Sequence, residues 1–228
     1  MLGNIVNTLA IIIGSMIGFF FKNFIPDRFQ TTLVKAISLA VMLVGLQMAL
    51  ETENVILVII SLALGAVFGE IVDIEKRLDQ LGDRLQSLFK GSKSNISQGF
   101  VTASLIYCVG SMAIIGAIEG GLLGKHDVLF AKAMLDGIIS IPLTASLGIG
   151  VIFSSVSVFL YQGAIVLLAG LMKDLMTPDV VREMTAVGGL LILAIGLNFI
   201  IKERIKVGNL LPALFFPVLF YFMLALLA

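Results

Sequence analysis

Charge and tryptophan are both scarce in this sequence. Only 13% of its 228 residues are charged and none is tryptophan, whereas a soluble domain has about 25% charged residues. Hydrophobic residues make up 59%, and the mean hydropathy is +1.10. This composition predicts a polytopic membrane protein. The 15 basic and 15 acidic residues balance, so net charge gives no reason to expect nucleic acid as a partner.

Cysteine and histidine occur once each, as Cys108 and His126. A single cysteine excludes an intramolecular disulfide and a thiol cluster for a metal. The sequence also has no H-E-x-x-H helix, no G-x-S-x-G elbow and no P-loop. We therefore expect no enzyme activity, no metal centre and no cofactor, and transport, if present, to be passive or ion-coupled.

Long apolar runs recur along the whole chain. A transmembrane helix needs about 20 mostly apolar residues, and about eight runs meet that rule. They lie near Gly3–Phe21, Thr32–Leu50, Asn54–Val72, Gly99–Ile118, Val128–Leu147, Ile149–Met172, Glu183–Ile201 and Gly208–Ala228. The runs predict an all-α transmembrane helical bundle that occupies residues 1–228 as one integral membrane domain. Glycines and charges interrupt the fourth and fifth runs, so each of these is open to a continuous or a broken helix.

One charged segment, Ile71–Gln98, follows the third run. Its apolar residues recur at spacings of three and four, which places them on one helical face: Ile74, Leu78, Leu81, Leu85 and Leu88. This pattern predicts an amphipathic helix over about 72–96 that lies on the cytoplasmic membrane surface. A solvated connecting helix is the alternative.

Lysine and arginine are concentrated in the loops that follow odd-numbered runs, including Lys22, Arg77 and Lys202, whereas the loop between Leu50 and Asn54 is acidic. Cytoplasmic loops retain positive charge. We therefore expect both termini to lie outside.

Two parts of the chain, about 3–72 and 149–228, resemble each other. Gly18, Pro26 and Asp27 align at one offset with Gly170, Pro178 and Asp179, and after one deletion Gly45, Leu46 and Gln47 align with Gly196, Leu197 and Asn198. Five runs separate the starts of the copies, and an odd number inverts the second copy. An inverted repeat is typical of secondary transporters, and a chance match of apolar sequence is the alternative.

Charged residues interrupt the apolar sequence between Gly110 and Ser140. Lys132 and Asp136 are spaced i, i+4 and can face each other on one helix. A charge near the bilayer centre costs at least about 2.5 kcal/mol on insertion scales, which a neighbouring opposite charge offsets. A structural ion pair is one interpretation, and a substrate or coupling-ion site centred on Asp136 is the other.

Glu119 ends a glycine-rich part of the same stretch, which also carries Ser111 and Ser140. The glycines are explained either by close helix packing or by a discontinuous helix whose free backbone groups face a cavity. In the second case we expect these three residues to line the site.

Uncharged amides stand inside otherwise apolar runs at Asn7, Gln47, Gln162 and Asn198. Each must find hydrogen-bond partners away from water. Interhelical bonding explains any one of them. Gln47 and Asn198 hold equivalent repeat positions, so both are candidates for a central site, and we expect Asp136 close to Gln47 or Asn198 in a water-accessible pocket.

The run from Tyr107 to Gly163, together with "GEIVDIEKRLDQLGD" and "VGNLLPAL", resembles the DUF554 family of bacterial multi-pass inner-membrane proteins. The resemblance covers nearly the whole chain. Family members often have proline where Ser111 stands in "CVGSMAI". The resemblance implies a fold and a location but no substrate.

Together these patterns favour a secondary transporter of a small solute, with or without a coupling ion, whose site lies at the interface of inverted repeats. A channel is one alternative, and a membrane scaffold or signalling protein is another. The partners we expect are the lipid bilayer, an unknown small solute or ion and, from the small-residue seams Gly14–Gly18 and Gly188–Gly189, a second copy of the chain.

Overall fold

A computed structural model describes residues 1–22, 27–77, 80, 96–108, 110–172 and 175–227. Every regular element in these ranges is helical, and they contain no strand. The all-α prediction is therefore confirmed. Most of the predicted amphipathic segment lies outside the described residues.

The described residues form helices from four to 23 residues long. They are α1 (Leu2–Lys22), α2 (Asp27–Ala49), α3 (Val55–Val72), α4 (Ile96–Cys108), α5 (Ser111–Leu122), α6 (Asp127–Leu147), α7 (Ser154–Leu167), α8 (Ala169–Met172), α9 (Pro178–Asn198), α10 (Val207–Leu210) and α11 (Phe216–Leu227). Two 3-10 segments, Ile149–Phe153 and Leu211–Phe215, lead into α7 and α11.

Helix boundaries follow local side-chain chemistry. The side-chain oxygen of Asn54 accepts a hydrogen bond from the Leu57 N–H and caps α3, which ends at Asp73 in a left-handed conformation with φ 54°. Thr177 caps α9 by accepting from the Val180 N–H, and Pro178 takes the first helical position. Both helices therefore begin where their sequences supply a cap.

Six described helical segments are long and apolar enough to cross a membrane. The pair α4–α5 makes a seventh if it forms one bent span, and the apolar part of α2, Lys35–Ala49, is shorter than this requirement. The chain is thus a multi-pass membrane protein. Eight spans, and the inverted repeat, stay predictions.

The fourth and fifth predicted runs differ in continuity. The fourth run is divided into α4 and α5, which meet at a 60° bend. Gly110 precedes α5 with φ 138°, a conformation that favours glycine. The fifth run is the single helix α6, which continues through Pro142. Of these two runs, only the fourth is therefore broken in the described residues.

The helices pack as two groups. The first helix group contains α1 and α4–α8, and the second contains α2, α3 and α9–α11. Packing is dense within each group, above all between α1 and α6 and between α2 and α9. The groups meet mainly where α2 contacts α6 and where α9 contacts α4 and α5.

Glycines permit the closest helix contacts in both groups. A Cβ on Gly14 would overlap the carbonyl oxygen of Gly137, and one on Gly18 would overlap that of Ile141. In the second group, a Cβ on Gly189 would lie 2.6 Å from the carbonyl oxygen of Gly45. The seams that predicted self-association are thus occupied within one chain. The homo-oligomer stays a prediction, and these contacts give it no support.

Hydrogen bonds of two buried polar side chains, Glu183 and Asn209, join elements of the second group. At one end, Glu183 is buried and accepts hydrogen bonds from the Thr52 hydroxyl and the Glu53 N–H. At the other, the Asn209 amide accepts from the Glu75 N–H at 2.7 Å and donates to Glu70. The α2–α3 loop is therefore tied to α9, and the end of α3 to α10.

Candidate functional site

A polar cluster is buried inside the first helix group, where α1, α4, α6 and α7 meet. We call it the Asp136 cluster, and its members are Asn7, Tyr107, Lys132, Asp136, Ser140 and Gln162. Lys132 is the most exposed of them, at 7%, and Asp136 is 4% exposed. The charged pair is therefore removed from bulk solvent.

Asp136 lies near the middle of α6, a 21-residue helix. At a rise of about 1.5 Å per residue, its backbone is about 14 Å from the start of the helix and about 17 Å from the end. The hydrocarbon core of a bilayer is about 30 Å thick. A spanning α6 would place this carboxylate close to the membrane midplane.

The Asp136 carboxylate has two donors. The Lys132 ammonium lies 2.9 Å from both of its oxygens, and the Asn7 amide nitrogen lies 3.0 Å from Oδ2. The i, i+4 pairing predicted from the sequence is therefore present. Because the two opposite charges touch, each offsets much of the cost of burying the other.

Ser140 connects Asp136 to α4. Its hydroxyl donates to the backbone carbonyl of Asp136 at 2.7 Å, which uses its only proton. The Tyr107 hydroxyl, 2.7 Å from Ser140 Oγ, must then be the donor of the second bond. This chain of hydrogen bonds fixes the turn of α6 that carries the carboxylate.

Several polar atoms near the carboxylate have no hydrogen-bond partner among the described residues. Asn7 Nδ2 donates to Gln162 Oε1 at 3.3 Å as well as to Asp136, but Asn7 Oδ1 and Gln162 Nε2 are both buried and unpartnered. Leaving such a group unpaired costs about 1–3 kcal/mol. Both atoms are therefore available to a further polar partner.

Two clefts lie between the helix groups. One has a volume of about 180 Å³ and is lined by apolar side chains of α2, α4, α6 and α9, among them Val41 and Pro142. The other, of about 320 Å³, lies between α4, α7 and the second 3-10 segment, with Cys108 and Tyr161 on its wall. Asp136 lines neither of them. Lys132 and Asn7 cover its carboxylate, and the pocket predicted at Asp136 stays a prediction.

The structure brings together five of the nine sequence candidates: Asn7, Lys132, Asp136, Ser140 and Gln162. Glu119 is partly exposed in the last turn of α5, outside the cluster. Ser111 is the first residue of α5, and its side chain is not among those described.

Neither Gln47 nor Asn198 is among the described hydrogen-bond partners of Asp136. Gln47 is exposed on α2. Asn198 closes the turn after α9, where its Oδ1 and Nδ2 pair with the backbone N–H and carbonyl of Ile205, each at 2.8 Å. The predicted repeat aligns the two positions, but an alignment does not determine which way each side chain points.

Tyr107 was not predicted as a site residue. It is fully buried, and its hydroxyl reaches Ser140 across 33 residues of sequence. A buried tyrosine hydroxyl usually requires a partner, so a tyrosine in the middle of an apolar run was the available signal.

Comparison with known proteins agrees with these membrane features. A family model described as "Protein of unknown function (DUF554)" matches residues 2–222. The chain belongs to the DUF554 family. It is 38% identical to "Uncharacterized membrane protein YdfK" of Bacillus subtilis (strain 168) over 221 residues, which cover 95% of this chain and 94% of that protein.

A second relative is more distant. It is "Uncharacterized protein YqgA" of Escherichia coli (strain K12), 29% identical over 218 residues that cover 93% of each chain. No solved structure matches this chain significantly. The comparisons therefore give a family of membrane proteins and no activity.

Proposed function

We propose that this DUF554 member is a secondary transporter of a small solute and that the Asp136 cluster is its binding site. One observation carries the proposal. An oppositely charged pair is buried halfway along an apolar helix, beside amides of α1 and α7 whose remaining polar atoms have no described protein partner. Intramembrane ionisable residues that face the bundle interior mark substrate and ion pathways.

The unpartnered atoms indicate which hydrogen bonds the site can make with a solute. Gln162 Nε2 is a free donor and Asn7 Oδ1 a free acceptor, and the Asp136 carboxylate stands next to Asn7. A small polar solute would supply the missing hydrogen bonds, whereas an apolar solute would leave them unmade. The cluster therefore favours a small polar or charged solute.

The arrangement of the helices supplies a route for movement. The first helix group carries the whole Asp136 cluster, and the groups are separated in places by apolar clefts of about 180 and 320 Å³. Apolar surfaces with few interlocking polar contacts slide or rock at little energetic cost. Alternating access would then be a motion of one group against the other.

The predicted repeat fits this arrangement. Each helix group contains parts of both predicted copies, because α1 and α7 belong to the first group while α2 and α9 belong to the second. An inverted repeat would give each group its own pseudo-symmetry. A channel would instead need a continuous polar path, and the walls of both clefts are almost wholly apolar.

We further propose that the protein lies in the bacterial cytoplasmic membrane with both termini outside. The α9–α10 loop carries Lys202, Arg204 and Lys206, and the α2–α3 loop carries Glu51 and Glu53. The positive-inside rule then places the first loop in the cytoplasm. Reporter fusions at Ala228 that are active only inside the cell would contradict this orientation.

A stabilisation screen identifies the solute. Purified protein is heated with members of a panel of amino acids, organic acids, nucleobases and inorganic ions, because a ligand that binds only the folded state raises Tm. A solute of this site should stabilise the wild type and Ser38→Ala but not Asp136→Asn. Ser38 is a matched control, since it is fully buried in the second helix group and its hydroxyl donates to the Gly196 carbonyl of α9, outside the Asp136 cluster.

Uptake of the identified solute into proteoliposomes then tests transport itself. We expect accumulation above protein-free vesicles and its loss in Asp136→Asn. Failure of every stabilising solute to cross the bilayer under any imposed gradient would overturn the proposal.

A further inference from the structure

The Lys132 ammonium occupies the place beside the Asp136 carboxylate that a free cation would take. It lies 2.9 Å from both carboxylate oxygens, and Asp136 is its one hydrogen-bond partner among the described residues. We infer that a small monovalent cation, a proton or Na⁺, binds at Asp136 by displacing Lys132, which makes this pair the ion-coupling device of the transporter. This inference rests on the proposed function.

The Lys132 ammonium and the Asp136 carboxylate differ in their ability to move from the site to the membrane surface. Lys132 lies four residues, or about 6 Å, nearer the start of α6 than Asp136. Helical side chains point back toward the N-terminus, so the preferred direction of the lysine stem is away from Asp136 and toward the exposed first turn near Asp127. A lysine can extend its ammonium to water over this range. The short aspartate side chain cannot.

Displacement keeps the charge of the site constant. With Lys132 in place, the carboxylate and the ammonium sum to zero. Once the ammonium has moved to the membrane surface, an uncompensated carboxylate would remain in the bundle interior, which is strongly unfavourable. A bound proton or Na⁺ restores neutrality, so release of Lys132 and binding of the cation are expected to be coupled.

The oxygens near Asp136 suit a small hard cation. They include the carboxylate, the unpartnered Asn7 Oδ1 and Gln162 Oε1, whose one hydrogen bond is long at 3.3 Å. Carboxylate and amide oxygens are the ligands that such cations prefer. Among the described residues, no group of three or more Asp, Glu, His or Cys side chains is arranged to hold a metal ion, and a single carboxylate matches a single positive charge.

Other titratable groups also face the pair. Tyr107 and Cys108 approach it from α4, while α1 and α7 present the neutral amides of Asn7 and Gln162. A pH effect must therefore be assigned to Asp136 by substitution. Asp136→Asn serves this purpose because it keeps the shape of the side chain and leaves Tyr107 and Cys108 unchanged.

The first test measures exposure of Lys132 in the wild type. Protein in detergent is treated with an amine-acylating reagent in choline chloride, in NaCl of equal ionic strength and in choline chloride at lower pH, with reactivities normalised to a small-molecule amine. Labelling is read by mass spectrometry of the peptide that contains Lys132, with exposed Lys206 as an internal reference. We expect Lys132 labelling to rise several-fold in NaCl if Na⁺ is the ion, or at low pH if the proton is. Equal normalised labelling in all three solutions would overturn the inference.

The thermal stability of a Lys132 variant provides a second test. Lys132→Gln leaves the Asp136 carboxylate without its charged partner. The Tm of this variant should therefore be higher in Na⁺ or in acid than in choline at neutral pH. The double variant Lys132→Gln/Asp136→Asn should show no such rise. A Lys132→Gln protein whose Tm changes no more than that of the double variant would contradict cation binding at Asp136, even if Asp136→Asn abolishes solute uptake. Conversely, cation-dependent labelling without any uptake would keep the binding site and remove the transport proposal.

Discussion

Asn7 and Asp136 are 129 residues apart in the sequence, and the amide nitrogen of Asn7 lies 3.0 Å from a carboxylate oxygen of Asp136. The same nitrogen donates to Gln162 at 3.3 Å. A single side chain of α1 therefore links the charged helix α6 to α7. Because the amide contacts the carboxylate itself, its removal should affect binding more than folding.

We expect Asn7→Ala to weaken uptake of the transported solute at least about tenfold, which corresponds to loss of about 1.4 kcal/mol of binding free energy. Asn4→Ala is the matched control. Asn4 is also a buried amide of α1, but it donates to the Phe159 carbonyl and not to Asp136. Equal loss of uptake in both variants would show that Asn7 acts only through packing of α1.

Close packing of α1 on α6 positions the Asp136 cluster. Substitution of Gly14 tests this packing. An added methyl group would overlap the Gly137 backbone, which cannot move as a flexible side chain can. We expect Gly14→Ala to lower the free energy of unfolding by about 1–3 kcal/mol, the usual cost of overpacking. The measurement is thermal unfolding in detergent.

Gly170→Ala is the control for Gly14→Ala. Gly170 lies in α8 with no atom within 4 Å of its Cβ position, so its replacement should leave Tm unchanged or raise it. A Gly14→Ala protein as stable as Gly170→Ala would mean that α1 and α6 are not in direct backbone contact.

The contact between the end of α3 and α10 depends more on the hydrogen bonds of Asn209 than on the ion pair of Lys206 with Glu70. Asn209 is 3% exposed and bridges Glu70 and the Glu75 N–H, whereas Lys206 and Glu70 are exposed. Asn209→Ala should destabilise the protein by about 1–3 kcal/mol, because it removes two hydrogen bonds made by a buried side chain, each worth about 0.5–1.5 kcal/mol. Lys206→Gln should have a much smaller effect. Comparison of the two Tm values checks this order.

The contribution of Lys206 should also be insensitive to pH in the neutral range. Its hydrogen bond and charge interaction with Glu70 raise the pKa of Lys206 above the ordinary 10.5. A group whose folded-state pKa is raised stabilises the fold fully below its unfolded pKa and loses that effect only as pH rises through the folded value. The Tm difference between wild type and Lys206→Gln should therefore stay constant near neutrality and shrink in strong alkali. A difference that disappears on mild acidification would contradict this account.

Glu183 anchors the α2–α3 loop to α9. It is fully buried and accepts from Thr52 and from the Glu53 backbone. We expect Glu183→Ala to cost at least about 2 kcal/mol of unfolding free energy, since hydrogen bonds to charged groups contribute about 1.5–3 kcal/mol each. Asp179→Ala, at an exposed residue two helical positions from the capping Thr177, should change Tm little. If the two variants have similar Tm values, the carboxylate does not hold the loop.

Sequence reasoning was most successful where a short-range pattern determines the structure. The i, i+4 spacing of Lys132 and Asp136 predicts their contact from helical geometry alone. The glycines of the fourth run left a continuous and a broken helix open, and the structure has the break at Gly110. Pairings across the bundle are different. The contact of Asn7 with Asp136 depends on how α1 and α6 dock, and no local periodicity records it.

The failures have a common physical origin. Gln47 and Asn198 were paired through the repeat, but the alignment carries no information about helix rotation, and one side chain is exposed while the other caps a turn. Gly14 and Gly18 were expected to face another copy of the chain, and they face α6 instead. In both cases the residue type indicated close contact or hydrogen bonding, and only the packed structure identifies the partner.

Solute uptake by Asp136→Asn proteoliposomes is the most direct test of the central claim, that the Asp136 cluster is the transport site. Asparagine keeps the size of the side chain and removes its charge, and equal incorporation and an intact fold are verified by Tm and by size-exclusion profile. The account predicts that wild type and Ser38→Ala accumulate the solute at similar rates while Asp136→Asn does not exceed empty vesicles. Uptake by well-folded Asp136→Asn at the wild-type rate would contradict it.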